Sequence, residues 1–216
     1  MNLKQLLLGT VAGMLFASSA LAQVNNVPSS GVTIGYLPKV TYSSAFFGLV
    51  PPASATDMVC IAASATKTVR LDRVVITGYA GTAVALPIQV VRRVSLDTGG
   101  TAASTTANPG ITTQIASRDT GLATNLSASA TLVSYTAVPT INDSAPVYLD
   151  SAVLGLAANT VGVVSVPAVF DWSRDIENNV QVPTLAKGST QQICVNFGAV
   201  SITSGSLNGQ ITWTEE

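Results

Sequence analysis

Residues 57–78 read DMVCIAASATKTVRLDRVVITG, and the fold class turns on this stretch. Aliphatic, β-branched runs flank a polar SATK segment. The pattern reads as a strand, a tight turn and a second strand, a hairpin on which the rest of the chain packs. In the first arm Cys60 lies between Val59 and Ile61, so a period-2 strand turns it away from the aliphatic side. In the second arm Val69 and Leu71 share one parity, whereas Val74 and Ile76 share the other. A strand changes parity only by inserting a residue, which predicts a β-bulge near Asp72 and Arg73. The alternative is a stretch buried on both faces.

The expected partner of the first arm is 191–200, QQICVNFGAV, where Cys194 lies between Ile193 and Val195. The parity is the same as around Cys60. If the two strands are neighbours, the sulfurs meet on one face, opposite the aliphatic residues. Cys60 and Cys194 are 134 positions apart. A bridge closing that loop contributes at most about 5 kcal/mol on the chain-entropy model. The alternative is two unpaired, half-buried thiols.

The start of the chain bears on that choice. Met1 to Lys4 form a short positive segment, an apolar run follows from Leu6 to Phe16, and Ala20-Leu21-Ala22 ends in small residues before Gln23. This is the pattern of a secretory signal peptide over 1–22, too short to read as a membrane anchor. Cleavage removes Lys4 and leaves 9 basic against 11 acidic residues, a net charge of -2. No later segment is long and apolar enough to span a membrane. The expected protein is secreted, in a periplasm or outside a cell, where paired cysteines are the rule.

Outward from the hairpin, the chain divides into an N-terminal arm over 23–56 and a β-domain over 57–216. The arm holds a short strand near 32–36, an apolar run at 42–50 tucked on the body, and Pro51-Pro52 as a stop. Beyond the hairpin, strands are expected at 84–96, 130–138, 146–156, 161–170, 179–185, 191–203 and 207–214. Asp97-Thr98-Gly99-Gly100 carries turn chemistry. Residues 101–127 are rich in Thr, Ala and Ser, and read as an exposed excursion or as a loop with a short strand near 111–115. No stretch after the signal has a 3.6 period. The expected fold is all-β, a single antiparallel β-sandwich.

Composition excludes more functions than it suggests. Charged residues make up 10% of the chain, against roughly 25% in an ordinary domain. The surface is therefore built from Thr, Ser, Asn, Gln and Gly, which suits an assembly or an extracellular protein. The formal charge is -1 with no basic run, so nothing recruits a phosphate backbone and no nucleic-acid partner is expected. There is no histidine, which removes Ser-His chemistry and the commonest metal ligand. Two cysteines alone make no zinc site, and neither GxGxxG nor GxxxxGK[ST] occurs. No cofactor and no enzyme activity are expected.

One cluster invites a functional reading. DWSRDIE places Asp171, Arg174 and Asp175 around Trp172. Paired acids beside an aromatic suit a glycosidase or a calcium loop, and Trp172 suits stacking on a sugar. The plainer reading is a polar loop salt-bridged through Arg174. Arg92-Arg93 and the Arg70/Arg73 pair read as strand-borne charges facing solvent, with anion contact as the alternative. Asp143 and Asp150 read as isolated turn or strand-end acids. Trp213 reads as a packing residue, and Glu215-Glu216 as a solvated end.

GLVPPASATD, SATKTVRLDRVVITG, RRVSLDTGG, VNFGAV and SGSLNGQITWTEE together resemble segments of small jelly-roll proteins encoded by tailed phages and related metagenomic genomes. The resemblance covers the chain from about Tyr42 to Glu216. It implies a sandwich of jelly-roll type, a virion-surface role, and a homo-oligomer, trimeric in the similar tumour-necrosis-factor-like folds. The secretory signal and the cysteine pair depart from that family, since capsid parts assemble in the cytoplasm. The expected function is a non-enzymatic exported structural or surface protein. The alternative is a carbohydrate- or receptor-binding module that uses Trp172 and its neighbours on a surface glycan or receptor.

Overall fold

The computed structural model describes residues 40–51, 54–102, 114–118, 128–135, 137–143, 145–159, 165–173 and 181–216. The expected signal peptide and the strand near 32–36 lie outside them. Twelve strands form among the described residues: β1 (Val40–Leu49), β2 (Thr56–Ala62), β3 (Val69–Tyr79), β4 (Val84–Arg93), β5 (Thr101–Ala102), β6 (Gln114–Ser117), β7 (Thr131–Ser134), β8 (Val147–Leu156), β9 (Ala168–Asp171), β10 (Thr184–Leu185), β11 (Gln192–Phe197) and β12 (Ser206–Glu215). Every paired strand in the two sheets is antiparallel.

One sheet runs β10-β3-β12-β1-β6, with β9 on the same edge of β3 as β10; the other runs β5-β7-β2-β11-β4-β8. Their inner faces enclose one apolar core. Tyr42, Phe46, Leu71, Val74, Ile76, Ile211 and Trp213 from the first meet Val59, Ile61, Leu86, Ile88, Val90, Ile193, Val195 and Phe197 from the second. The chain is thus an all-β antiparallel sandwich. Its pairings are nested: β1 with β12, β2 with β11, β3 with β9 and β10, β4 with β8. β12 also bonds to β3, and β11 to β4, which rolls the nest into two layers.

The expected hairpin is corrected here. β2 pairs with β7 and β11, whereas β3 pairs with β9, β10 and β12 in the other sheet. The polar segment after Ala62 carries the chain across the sandwich rather than turning it back. Local turn chemistry looks alike in both cases; only the burial of both strands against opposite layers separates them. β1 also falls within the stretch read as an arm, yet it is an inner strand with Tyr42 and Phe46 buried.

The predicted bulge is present. Arg73 faces Thr212 and Leu71 faces Trp213, which leaves Asp72 as the extra residue. It lets Val69 and Leu71 share the core with Val74 and Ile76. The long Thr-rich segment contributes β5 and β6, one added to each sheet. The rest of 103–127 lies outside the described residues.

Candidate functional site

Three places bring polar side chains together. The first is on the outer face of the β11 sheet. Cys60 and Cys194 are register partners with Cα atoms 4.1 Å apart, and they form a disulfide. Val59 and Ile61 point the other way, into the core, as their parity requires. Val91, Tyr135 and the edge of Val133 cover the bridge.

Asp57 reaches the same face by a register slip. Val59 pairs with Val195 but Asp57 pairs with Asn196, so Met58 is an inserted residue. That turns Met58 into the core and Asp57 outward beside the disulfide. Buried there, Asp57 would be costly alone. Arg93, buried at the end of β4, grips it through Nε and through Nη2 at 3.0 Å. Asn196 Nδ2 donates to the same carboxylate at 2.6 Å. The third Arg93 nitrogen donates to the Asp143 carbonyl at 2.8 Å. Paired carboxylates hold the Arg93 guanidinium proton above its ordinary value despite burial, which opposes it. Arg93 was expected to face solvent. The bulge that redirects Asp57 supplies its partner inside.

Asp97, in the turn after β4, completes the group. It is 9% exposed, and its Oδ2 lies 3.9 Å from Cys60 Sγ. Burial first, then the hydrogen bond and charge of Asp57, push its carboxyl up to about 7. Arg93 and the Asn142 N–H pull the other way. Asp97 Oδ1 meets no N–H or O–H donor, so little beyond Arg93 and the Asn142 N–H offsets the burial of this carboxyl. Tyr135, covering the bridge, is pushed up to about 12 by burial and by these two acids. Asp143, read as an isolated turn acid, accepts from Val94 N at 2.8 Å and Ala145 N at 3.0 Å, which lowers its carboxyl.

The donor atoms of Asp57, Asp97, Cys60 and Cys194 all lie within 4.8 Å of one another. That spacing suits a metal, but both sulfurs are bonded to each other and Asp57 is occupied by Arg93. The chemistry on offer is a buried acid pair, with the Asp97 carboxyl raised, packed on a disulfide. The turn sits close because Gly99 has φ 91° and Gly100 has no room for a Cβ against Val133 and Tyr135.

The second place is a cleft at the mouth of the sandwich, with a volume of about 400 Å³, lined by Arg92, Leu149, Trp172, Gln181, Val182, Pro183 and Thr184. The Asp72 bulge builds it. Below the bulge, the free edge of β3 pairs with β10; above it, with β9. Between them the Asp72 carbonyl accepts from Trp172 N at 2.9 Å, and Leu71 N donates to the Pro183 carbonyl at 2.9 Å. The Trp172 and Pro183 sides of the cleft hang on this one irregularity, while Arg92 and Leu149 come from β4 and β8. Trp172 stacks on Phe170 with ring centroids 6.1 Å apart and planes at 14°.

The predicted DWSRDIE cluster is divided. Trp172 turns into the cleft, while Asp171 lies outside, ion-paired with Arg73 at 3.7 Å and accepting from Ser173. Arg174 and Asp175 lie outside the described residues. Arg92, read as facing solvent with anion contact as the alternative, follows Leu86, Ile88 and Val90 in inward parity and reaches the cleft at the core's end.

A third polar group is purely structural. Glu215 is buried and accepts from Ser129 N and Oγ, Ala130 N and Trp213 Nε1. Burial opposes its charge, but these donors outweigh it and hold its carboxyl below the ordinary value. The expectation of a solvated Glu215 is corrected: β12 is central, so its last residues are covered from both sides. Trp213 is fully buried, as expected for a packing residue.

No family model, characterised protein or solved structure matches this chain. The disulfide suits an oxidising compartment. No helix of the described residues is long and apolar enough to cross a membrane.

Proposed function

We propose that this is a non-enzymatic exported surface protein of jelly-roll type, related to the virion-surface proteins of tailed phages, that acts by assembling with copies of itself. The nested order of strand pairs supports the jelly-roll reading. The observation that carries assembly is the outer face along β4 and β8. Val153 and Tyr148 are 67% and 63% exposed, and they stand opposite Pro87 and Val91 in register. β8 is an edge strand of ten residues with one charge, Asp150. β8 carries a bulge at Leu149, but the rest of its long, apolar run is unprotected, and a second copy covers such a surface well.

Export rests on the signal-like first 22 residues and gains support from the disulfide. The test is the mass of the mature protein in solution, by size-exclusion chromatography with light scattering. A homo-oligomer, trimeric by analogy, is expected, and Val153→Glu should release monomers that keep the fold. A strict monomer at all concentrations overturns the proposal.

A further inference from the structure

The cleft at the sandwich mouth takes Arg92 and Leu149 from β4 and β8, the strands whose outer side carries the proposed assembly face, and its lining has a definite chemical character. Among the seven described lining residues there is one cation, Arg92, and no acid. Among the described residues Arg92 has no salt-bridge partner. Trp172 offers an aromatic surface whose orientation is fixed twice, by the stack on Phe170 and by the backbone bond to the Asp72 carbonyl. Gln181 supplies an amide with two donors and an acceptor, and Thr184, whose hydroxyl donates to the Val182 carbonyl at 2.7 Å, keeps an acceptor site. A volume of about 400 Å³ is that of a small-ligand site.

Each group selects for something in the ligand. A guanidinium set in a partly apolar recess recognises a carboxylate through two parallel hydrogen bonds. An indole platform suits the apolar C–H face of a ring, and an amide beside it suits ring hydroxyls. We infer that this cleft binds a carboxylated sugar unit, with Trp172 under the ring, Arg92 on the carboxylate and Gln181 on the hydroxyls. A neutral sugar leaves Arg92 unpaired. A flat aromatic acid pairs Arg92 but leaves Gln181 without a partner, and so it binds less well.

The test uses the full mature protein titrated with sodium glucuronate, glucose and sodium benzoate, followed by calorimetry and tryptophan fluorescence. Trp213 is fully buried, so a ligand-dependent change in emission reports Trp172. Saturable glucuronate binding in the millimolar range or tighter is expected, with glucose and benzoate each at least about tenfold weaker. Arg92→Gln should weaken glucuronate about tenfold and leave glucose unchanged. Trp172→Ala should abolish binding of both sugars, and Trp172→Phe, which keeps a ring on Phe170, should retain part of it if the alanine variant does not fold. Absence of saturable glucuronate binding overturns the assignment. So does glucose or benzoate binding as tightly as glucuronate, or glucuronate binding undiminished in Arg92→Gln.

Discussion

Asp57 and Asp97 bring carboxylate oxygens to within 4.8 Å of each other in a buried group on the outer face of the β11 sheet, with the Cys60–Cys194 bridge beside them. Arg93 offsets the charge of Asp57, while burial beside that charge raises the Asp97 carboxyl. Its consequence for pH is direct. The folded pKa of Asp97 is raised, so between the ordinary carboxylate range and about pH 7 the folded state binds more protons than the unfolded state. Stability therefore falls as pH rises through that window and levels off above it. With no histidine in the chain, this window is otherwise quiet. Urea midpoints at pH 5, 6, 7 and 8 should decline in that order. Asp97→Asn, which keeps a donor toward Asp57 without a charge, should flatten the profile. A wild-type profile already flat over this range would show that the Asp97 carboxyl is not raised in the folded protein.

Arg93 and Asp57 should behave as a unit. Removing the guanidinium leaves Asp57 buried against Asp97, so Arg93→Met is expected to cost about 3–5 kcal/mol. The double variant Arg93→Met, Asp57→Leu should recover much of that loss, since a buried pair is often replaceable by apolar volume. Chemical denaturation of the two singles and the double measures the coupling. Additive losses would mean that the two side chains act independently.

The disulfide should form when the protein is produced in an oxidising compartment, and contribute to stability. Intact mass of the non-reduced protein should fall short of the dithiol form by two hydrogens, and thiol-directed alkylation of the unfolded, non-reduced chain should add nothing. Replacing both cysteines by alanine is expected to cost about 2–5 kcal/mol. Two alkylatable thiols in the mature protein would remove the bridge from the account.

Glu215 should be among the most sensitive positions in the chain. Truncation to alanine strands the Ser129 and Ala130 N–H groups and the Trp213 indole N–H without an acceptor. The expected loss is about 3 kcal/mol or more, with a change in Trp213 emission. Glu215→Gln keeps one acceptor oxygen and should lose less. An alanine variant within error of wild type would place those donors in water.

The parity of short runs carried much of the fold. The switch between Leu71 and Val74 located the Asp72 bulge, and the aliphatic flanks of Cys60 and Cys194 placed both sulfurs on one outer face. The acid cluster was hidden for the same reason. An unbroken count from Cys60 puts Asp57 on the opposite face, and only the slip at Met58 brings it round. No apolar parity change marks that slip, because every residue of β2 is buried. Asp57 and Arg93 are on different strands of one sheet, Asp97 in a turn, and nothing local links them. Trp172 was legible as a candidate ligand contact by residue type alone. Its cleft was not, since it depends on where β3 changes partner from β9 to β10.

The nested order of the strands also governs when the molecule can fold. β11 lies between β2 and β4, and β12 between β1 and β3, so the centre of each sheet comes from the last quarter of the chain. A nascent chain that has displayed everything up to β10 holds two half-sheets with no middle, and its longest-range pairings must wait. Such a chain remains threadable until nearly all of it has emerged. For a polypeptide that crosses a membrane before it folds, late closure keeps the translocating form open without help from any separate unfolding step.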